Sequence, residues 1–502
     1  MKTNLSKHSA MSRKLMAVAL VCTSLLFADC ADVYDGDEQF SSSVKNSQMQ
    51  SPAKEAINIE ATPDGATQII SWPVMEGAGG YHITLKDVTD PTNEVVLADS
   101  IIDGCSFSIG RAEDTNYELS ITTLGNKRYN NTDAAAATSV EYTTFLPSMG
   151  VIPAGSDIKE WFEANPISEG TEGENHVFDL EAGAEYTLNG ELDFGLNTVT
   201  LRTPSTLRAK LTYGEKGNFY TNAGLNLKNL IIDCSAQTSS SASLISLCKE
   251  PNAAILGLTG KDYYNIMDPI TIQNCDIDGV NAYLFYDSNK KYCTQNFLIK
   301  NSVIHFTTTS ASLASNALVN AYGGGIAHFG VENSTLWSTT ELQQKYFLRY
   351  NNSFREDRVY ETDQANKPDT YYPGDKTLSV DFKNSTFYKI AELKGQSQMA
   401  NYDGIVNRAA LTFTVVKNIF VDCGGGEVPR RLIKNYQNAV TYNFQYNTYW
   451  FDGASETNYA NYDKSGTVIE SDPMYANPAN GIFTVGGAEQ IAMGCGDPRW
   501  LE

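Results

Sequence analysis

LNLKNLII at residues 225–232, centred on Asn229, is the first full copy of the pattern that decides how this chain folds. Its form is apolar, x, apolar, x, Asn, x, x, apolar. It returns as ITIQNCDI at residues 270–277 around Asn274, FLIKNSVI at 297–304 around Asn301, FGVENSTL at 329–336 around Asn333 and VDFKNSTF at 380–387 around Asn384. A weaker form surrounds Asn418 and a degenerate one, FQYNTYW, surrounds Asn447. Successive asparagines stand 45, 27, 32, 51, 34 and 29 residues apart, as expected of a short strand returning once per coil of a solenoid, with insertions in the two long gaps. Alternate apolar residues share one face of a strand, the Asn breaks the alternation at a bend, and the next apolar residue turns inward again. A buried amide at such a bend can bond the local backbone and its counterparts above and below, at a strand spacing of about 4.8 Å. These asparagines are therefore expected to build the fold and not to carry chemistry.

A second signal lies between the copies: Leu244-Ile245-Ser246, Leu284-Phe285-Tyr286, Leu318-Val319-Asn320, Phe347-Leu348-Arg349, Ile405-Val406-Asn407 and Leu432-Ile433-Lys434. Six apolar pairs in successive gaps predict a second parallel sheet, and parallel crossovers are right-handed. The expected fold is all-β, with this region closing as a right-handed parallel β-helix.

Residues 1–29 read as an export signal, because Lys2, Lys7, Arg13 and Lys14 precede an apolar run at 15–27 that is too short to span a bilayer. Translation starting at Met11 would give a more usual basic segment. The run ends in Leu26-Phe27-Ala28-Asp29-Cys30, which resembles a bacterial lipobox with Cys30 as the lipidated residue; Asp29 departs from the small residue usual before that cysteine. Residues 30–51 form an acidic, polar tether with Asp32, Asp35, Asp37 and Glu38, similar to the surface-export signal of Bacteroidetes lipoproteins. The resemblance implies an outer-membrane lipoprotein facing the cell exterior.

The chain carries a net charge of −22, and the part after residue 29 carries −25, which argues against nucleic acid as a partner. A polyanion site on so acidic a chain requires a local reversal of sign. Seven cysteines remain beyond Cys30, with no CxxC and no His at metal spacing, so neither a zinc site nor a disulfide framework is expected.

Residues 52–146 contain Ile70-Ser71-Trp72, then GYHITL at 80–85 and Tyr117-x-Leu119-x-Ile121; an early buried Trp and a tyrosine-corner pattern resemble a fibronectin type III β-sandwich. Such a module between tether and main domain is expected to act as a spacer. Residues 147–177 form a linker and cap, with helical character at 157–165. FDLEAGAEYTLNGELDFGLNTVTLR, from Phe178, resembles the opening coil of pectate-lyase-like helices, so the β-helix is placed at 178–502 with an insertion at 339–376. The segment 472–502, with Asp472-Pro473-Met474-Tyr475 and Gly496-Asp497-Pro498-Arg499-Trp500, resembles the closing segment of Bacteroidetes lipoproteins built from domains of unknown function. That resemblance implies work in polysaccharide utilisation beside outer-membrane glycan importer components, and assigns no activity.

Polygalacturonase-like helices need paired aspartates and a Gly-His-Gly turn, neither of which occurs here, so hydrolysis of that type is disfavoured. Arg431-Leu432-Ile433-Lys434 is similar to their basic element but stands alone. Uronate lyases need Arg or Lys as base and cations or Ca²⁺ to neutralise the developing enolate; Arg349, Arg408 and Lys434 are the candidates. With the gap strands in register, Ser246, Tyr286, Asn320, Arg349, Asn407 and Lys434 line one face, which would bind an acidic, uronate-containing, pectin-like polysaccharide. The insertion adds Arg355, Arg358, Tyr371 and Tyr372, because rings stack on sugar faces and guanidinium groups pair with carboxylates. Surface binding of an acidic glycan is the leading reading. Its alternatives are a polysaccharide lyase acting by β-elimination and a structural or adhesive surface protein; a cofactor, Ca²⁺, belongs only to the lyase.

Overall fold

The computed structural model describes residues 44–62, 67–168, 170–171, 174–256, 263–307, 317–338, 345–351, 378–401, 411–433 and 440–501. The chain divides into two compact units, Met1–Thr144 and Phe145–Glu502.

Among the described residues of the first unit, Asn58–Ala61, Thr67–Ser71 and Ser106–Gly110 form one sheet. Val95–Ile102, Ala78–Asp87, Asn116–Gly125 and Thr138–Thr143 form the other, and every pairing is antiparallel. Burial alternates along Asn116–Gly125, where Tyr117, Leu119 and Ile121 point inward, as expected of a sheet with one wet face. Trp72 fills the core with its ring 5.3 Å from Tyr81 and 6.3 Å from Phe107. The Tyr117 hydroxyl accepts the Ala112 amide at 2.9 Å, a tyrosine corner at the position its sequence pattern marks.

The second unit is a parallel β-helix with three sheets. The first runs from Gly150–Ile152 through Leu225–Lys228, Ile270–Gln273 and Tyr292–Lys300 to Thr441–Gln445. The second runs from Glu185–Leu188 through Leu230–Asp233, Asp276–Val280 and Val303–Phe306 to Thr448–Phe451, closed by the short antiparallel strand Ala454–Ser455. The third is Glu191–Asp193, Asn218–Thr221, Ser243–Leu247, Tyr283–Tyr286, Ala317–Ala321, Tyr346–Tyr350 and Gln398–Asn401.

Two sheets were expected and three are present, because the asparagine motif spans a corner. Asn229, Asn274, Asn301, Asn333 and Asn384 have φ between +47° and +56°, the left-handed conformation that Asn tolerates, and the chain leaves one sheet before them and enters the next just after. In the last two coils the left-handed residues are Lys417 (φ 57°) and Tyr446 (φ 53°). Asn418 and Asn447 lie one place further on, fully buried where earlier coils hold Ser302, Ser334 and Ser385. That place carries the ladder: the amides of Cys275, Ser302 and Ser334 donate to the hydroxyls of Ser302, Ser334 and Ser385 at 3.1, 3.1 and 3.2 Å. The Ser385 and Asn418 amides continue it to the side chains of Asn418 and Asn447, both at 3.0 Å. The continuous ladder expected of the asparagines thus runs one residue after most of them. At the motif position itself, Asn384 donates to Asn333 at 3.2 Å.

The helix Ile158–Ala164, capped by Asp157 accepting the Glu160 amide at 3.1 Å, closes the open end of the first coil. Its Phe162 lies 4.9 Å from Phe178 and 5.2 Å from Phe194. Deeper in, Phe387, Phe420 and Tyr449 stack from coil to coil at 4.8 and 5.7 Å. The seven cysteines from Cys105 to Cys495 are unpaired and all but Cys105 are buried. Burial pushes the Cys275 thiol up to about 12, so it acts as a small core residue.

One predicted strand is a helix. Leu432 and Ile433 lie in Val428–Ile433, where they repeat four residues after Val428 and Pro429 and all four are buried. An apolar pair alone does not distinguish strand from helix, whereas the four-residue repeat and a proline in the first turn mark a helix.

Candidate functional site

The outer face of the third sheet is the surface on which the gap residues were expected to align, and it holds the aromatic groups suited to a polymer. Five of its seven strands send two neighbouring apolar residues into the core: Leu244-Ile245, Leu284-Phe285, Leu318-Val319, Phe347-Leu348 and Met399-Ala400. The residues flanking each pair form two columns, in which Tyr286, Arg349, Gln398 and Asn401 are partly exposed and most of the others are covered. One runs in register through Tyr220, Ser246, Tyr286, Asn320, Arg349 and Asn401. The other includes Ser243, Tyr283, Ala317, Tyr346 and Gln398.

Side chains join the columns. Tyr283 and Tyr286 stack with centroids 4.7 Å apart and planes at 11°. Tyr283 is buried and Tyr286 half-buried, so the pair forms a fixed plate whose outer ring is Tyr286. Further along, the Arg349 guanidinium lies 3.7 Å from the Tyr322 ring centroid and 5.0 Å from that of Tyr346. Ring faces attract the cation and fix its plane, so little rotamer freedom is lost when the ion meets a carboxylate. Asn320, buried, stands between Tyr286 and Arg349 in the column. At the N-terminal end Lys249 lies 4.9 Å over Tyr220 and pairs with Glu191 at 2.6 Å, beside a hollow of about 460 Å³ lined by Glu215, Lys216 and Asn218.

A buried carboxyl fixes this geometry. Asp287, directly after Tyr286, accepts the amides of Gly323 and Gly324 at 2.7 and 2.9 Å and that of Asn289 at 3.0 Å. It thereby holds the turn carrying Tyr322, and Tyr322 orients Arg349. A Cβ on Gly324 would lie 1.7 Å from the Tyr292 carbonyl oxygen, so only glycine fits there. Burial pushes the Asp287 carboxyl up to about 7 against the pull of its amide donors.

Of the expected site residues, the structure brings Ser246, Tyr286, Asn320 and Arg349 together. The coil after Arg349 supplies Asn401 in register. Arg408, Asn407, Lys434, Arg355, Arg358, Tyr371, Tyr372 and Cys30 lie outside the described residues. Phe347-Leu348-Arg349 lies in the regular strand Tyr346–Tyr350, which falls inside the bounds 339–376 expected of the insertion. Sequence reasoning missed Tyr220, Tyr283 and Tyr322. Tyr283 precedes its apolar pair as Tyr286 follows it, a symmetry visible in YLFY at 283–286. Among the described residues, no three His, Cys, Asp or Glu side chains are grouped to hold a metal ion.

Three segments match known families: residues 1–190 match DUF4992, 184–339 match DUF4957 and 380–500 match DUF5123, each a domain of unknown function. Together they take in most of the chain. The junction near residue 190 falls within the opening coil, and the gap between the second and third falls around the insertion. No curated protein matches. Among solved structures, pectate lyase Pel3 from Pectobacterium carotovorum is similar at 9% identity, over 81% of this chain and 91% of that one, with a TM-score of 0.18. Pectate lyase PelI from Erwinia chrysanthemi, solved with tetragalacturonic acid, is similar at 9% identity over 73% and 99%, with a TM-score of 0.14. A family 28 exopolygalacturonase from Yersinia enterocolitica gives 9% over 82% and 98%, and 0.19. The β-helix assignment rests on strand register.

Proposed function

We propose that this protein is a surface-exposed lipoprotein, anchored through Cys30 to the outer membrane, that binds acidic polysaccharide along the outer face of its third sheet for a glycan importer. The observation that carries the reading is the clamped Arg349 in register with the Tyr286 plate, an oriented cation beside an aromatic surface on a chain of net charge −22. A sugar ring placed on Tyr286 sets its neighbour along the column toward Arg349, so stacking and carboxylate pairing act on one extended chain. The fibronectin type III-like module then serves as a spacer. Binding is favoured over β-elimination because, among the described residues, this column holds one basic residue, Arg349, whereas a lyase needs a base and further cations or Ca²⁺ beside it.

Affinity electrophoresis in polygalacturonate, alginate and an uncharged control polymer tests this. The wild type is expected to be retarded by a uronate polymer, less so at high salt, and Arg349→Ala to migrate as in the control gel. Equal retardation of both would remove this face as the site. Release of unsaturated uronate from any of these polymers would replace binding with lyase activity.

A further inference from the structure

A second cleft lies on the outer face of the second sheet, walled by the closing segment. It has a volume of about 500 Å³, within the range of small-molecule sites, and its polar lining includes Lys210, Asp233, Asp276, Asp278, His305 and Arg499. Ile231, Val303, Trp337 and Trp500 supply its apolar surface.

Several features build this site. The closing segment is fixed by Asp497, 2% exposed, which accepts the Thr335 hydroxyl at 2.8 Å, and by Trp500, whose indole N–H donates to Thr335 at 2.8 Å. Asp497 also accepts Arg499 Nε at 2.9 Å, setting that guanidinium 3.8 Å from Asp276. The register between Asp276–Val280 and Val303–Phe306 slips after Ile277, where Gly279 has φ +74° and a Cβ would meet Ser235 Oγ at 2.3 Å. Such a bulge re-aims the neighbouring side chain, and here Asp278 meets His305 Nδ1 at 2.6 Å. His305 in turn stacks on Trp337 at 3.8 Å with planes at 11°.

The charges in the cleft compensate one another. Arg208 and Arg499 flank Asp276 and Lys210 faces Asp233 at 3.9 Å, while the His305 ring hydrogen-bonds Asp278. Carboxylates and cations thus alternate over an apolar floor. Each hydroxyl of an uncharged sugar donates to one partner and accepts from the next, while the C–H face of the ring lies on Ile231, Val303 or an indole. A uronate carboxylate could meet Lys210 or Arg499 only beside the carboxylates these already face, Asp233 and Asp276, and so competes with them where an uncharged hydroxyl does not. We infer that this cleft binds an uncharged sugar unit of one or two residues, independently of the acidic-glycan face.

Calorimetric titration of the full chain with a panel of uncharged mono- and oligosaccharides of glucose, galactose, mannose, arabinose, xylose and rhamnose, beside oligogalacturonate, tests the inference. At least one uncharged sugar is expected to saturate a single site. Lys210→Met and Asp233→Asn are each expected to weaken it by about tenfold, a loss of roughly 1.4 kcal/mol. High salt and Arg349→Ala are expected to leave it unchanged. Lys210 and Asp233 have side chains 44% and 31% exposed, and unaltered thermal unfolding checks that both variants fold. Absence of saturable binding by every uncharged sugar, undiminished binding in both variants, or occupancy only by oligogalacturonate that survives Arg349→Ala would each overturn it.

Discussion

Replacing Asn418 by Ala while separately replacing Asn301 by Gly tests where the ladder of the β-helix lies. Asn418 is fully buried; its amide nitrogen donates to the Phe382 carbonyl at 2.8 Å and its oxygen accepts the Ser385 amide at 3.0 Å. Alanine leaves that carbonyl and that amide buried without partners and opens a small void. At about 1–3 kcal/mol for each orphaned group, the expected loss is roughly 3–5 kcal/mol. Asn301 is half-buried at φ 51°. Glycine there removes a left-handed strain of about 1 kcal/mol and adds a similar unfolded-state entropy, so the net change should stay within about 1 kcal/mol. Urea unfolding of the full chain, followed by far-ultraviolet circular dichroism, measures both. Equal losses in the two variants, or a loss below about 1 kcal/mol for Asn418→Ala, would refute the assignment of the ladder to the position after the bend.

Asp287→Ala should lower polyuronate affinity without touching the ligand, because the Gly323 and Gly324 amides lose their acceptor and Tyr322 no longer orients Arg349; wild-type affinity in the folded variant would show that Asp287 only stabilises the turn. Burial pushes the Glu456 carboxyl from its ordinary 4.5 up to about 8, so between these values the folded state holds a proton that the unfolded state has lost. Stability should therefore fall as pH rises through that window, and Glu456→Gln should flatten the profile; an unchanged slope in the variant would assign the pH dependence elsewhere. Cys30→Ala should shift the protein from the membrane to the soluble fraction on cell fractionation, and retention of the variant would discount lipidation.

The sequence alone determined that this chain coils. Alternation at 225–228, 270–273 and 297–300, each ended by an asparagine, is a local property: the strand period and the left-handed tolerance of Asn are written into a few consecutive residues. The register of the gap strands was legible for the same reason, and it brought Tyr286, Asn320 and Arg349 into one column. What the tertiary structure decided depends on comparing coils. Lys417 occupies the bend and Asn418 the ladder because a neighbouring Ser385 amide needs an acceptor at that height, which FTVVKN does not reveal until it is stacked on VDFKNS. Leu432-Ile433 could close the core as strand or helix, since an apolar pair satisfies either. Tyr322 reaches Arg349 only through a turn held by Asp287 from the preceding coil. The second cleft is lined by residues as distant in sequence as Lys210 and Arg499, a juxtaposition that no local pattern encodes, because burial and charge compensation act on neighbours in space.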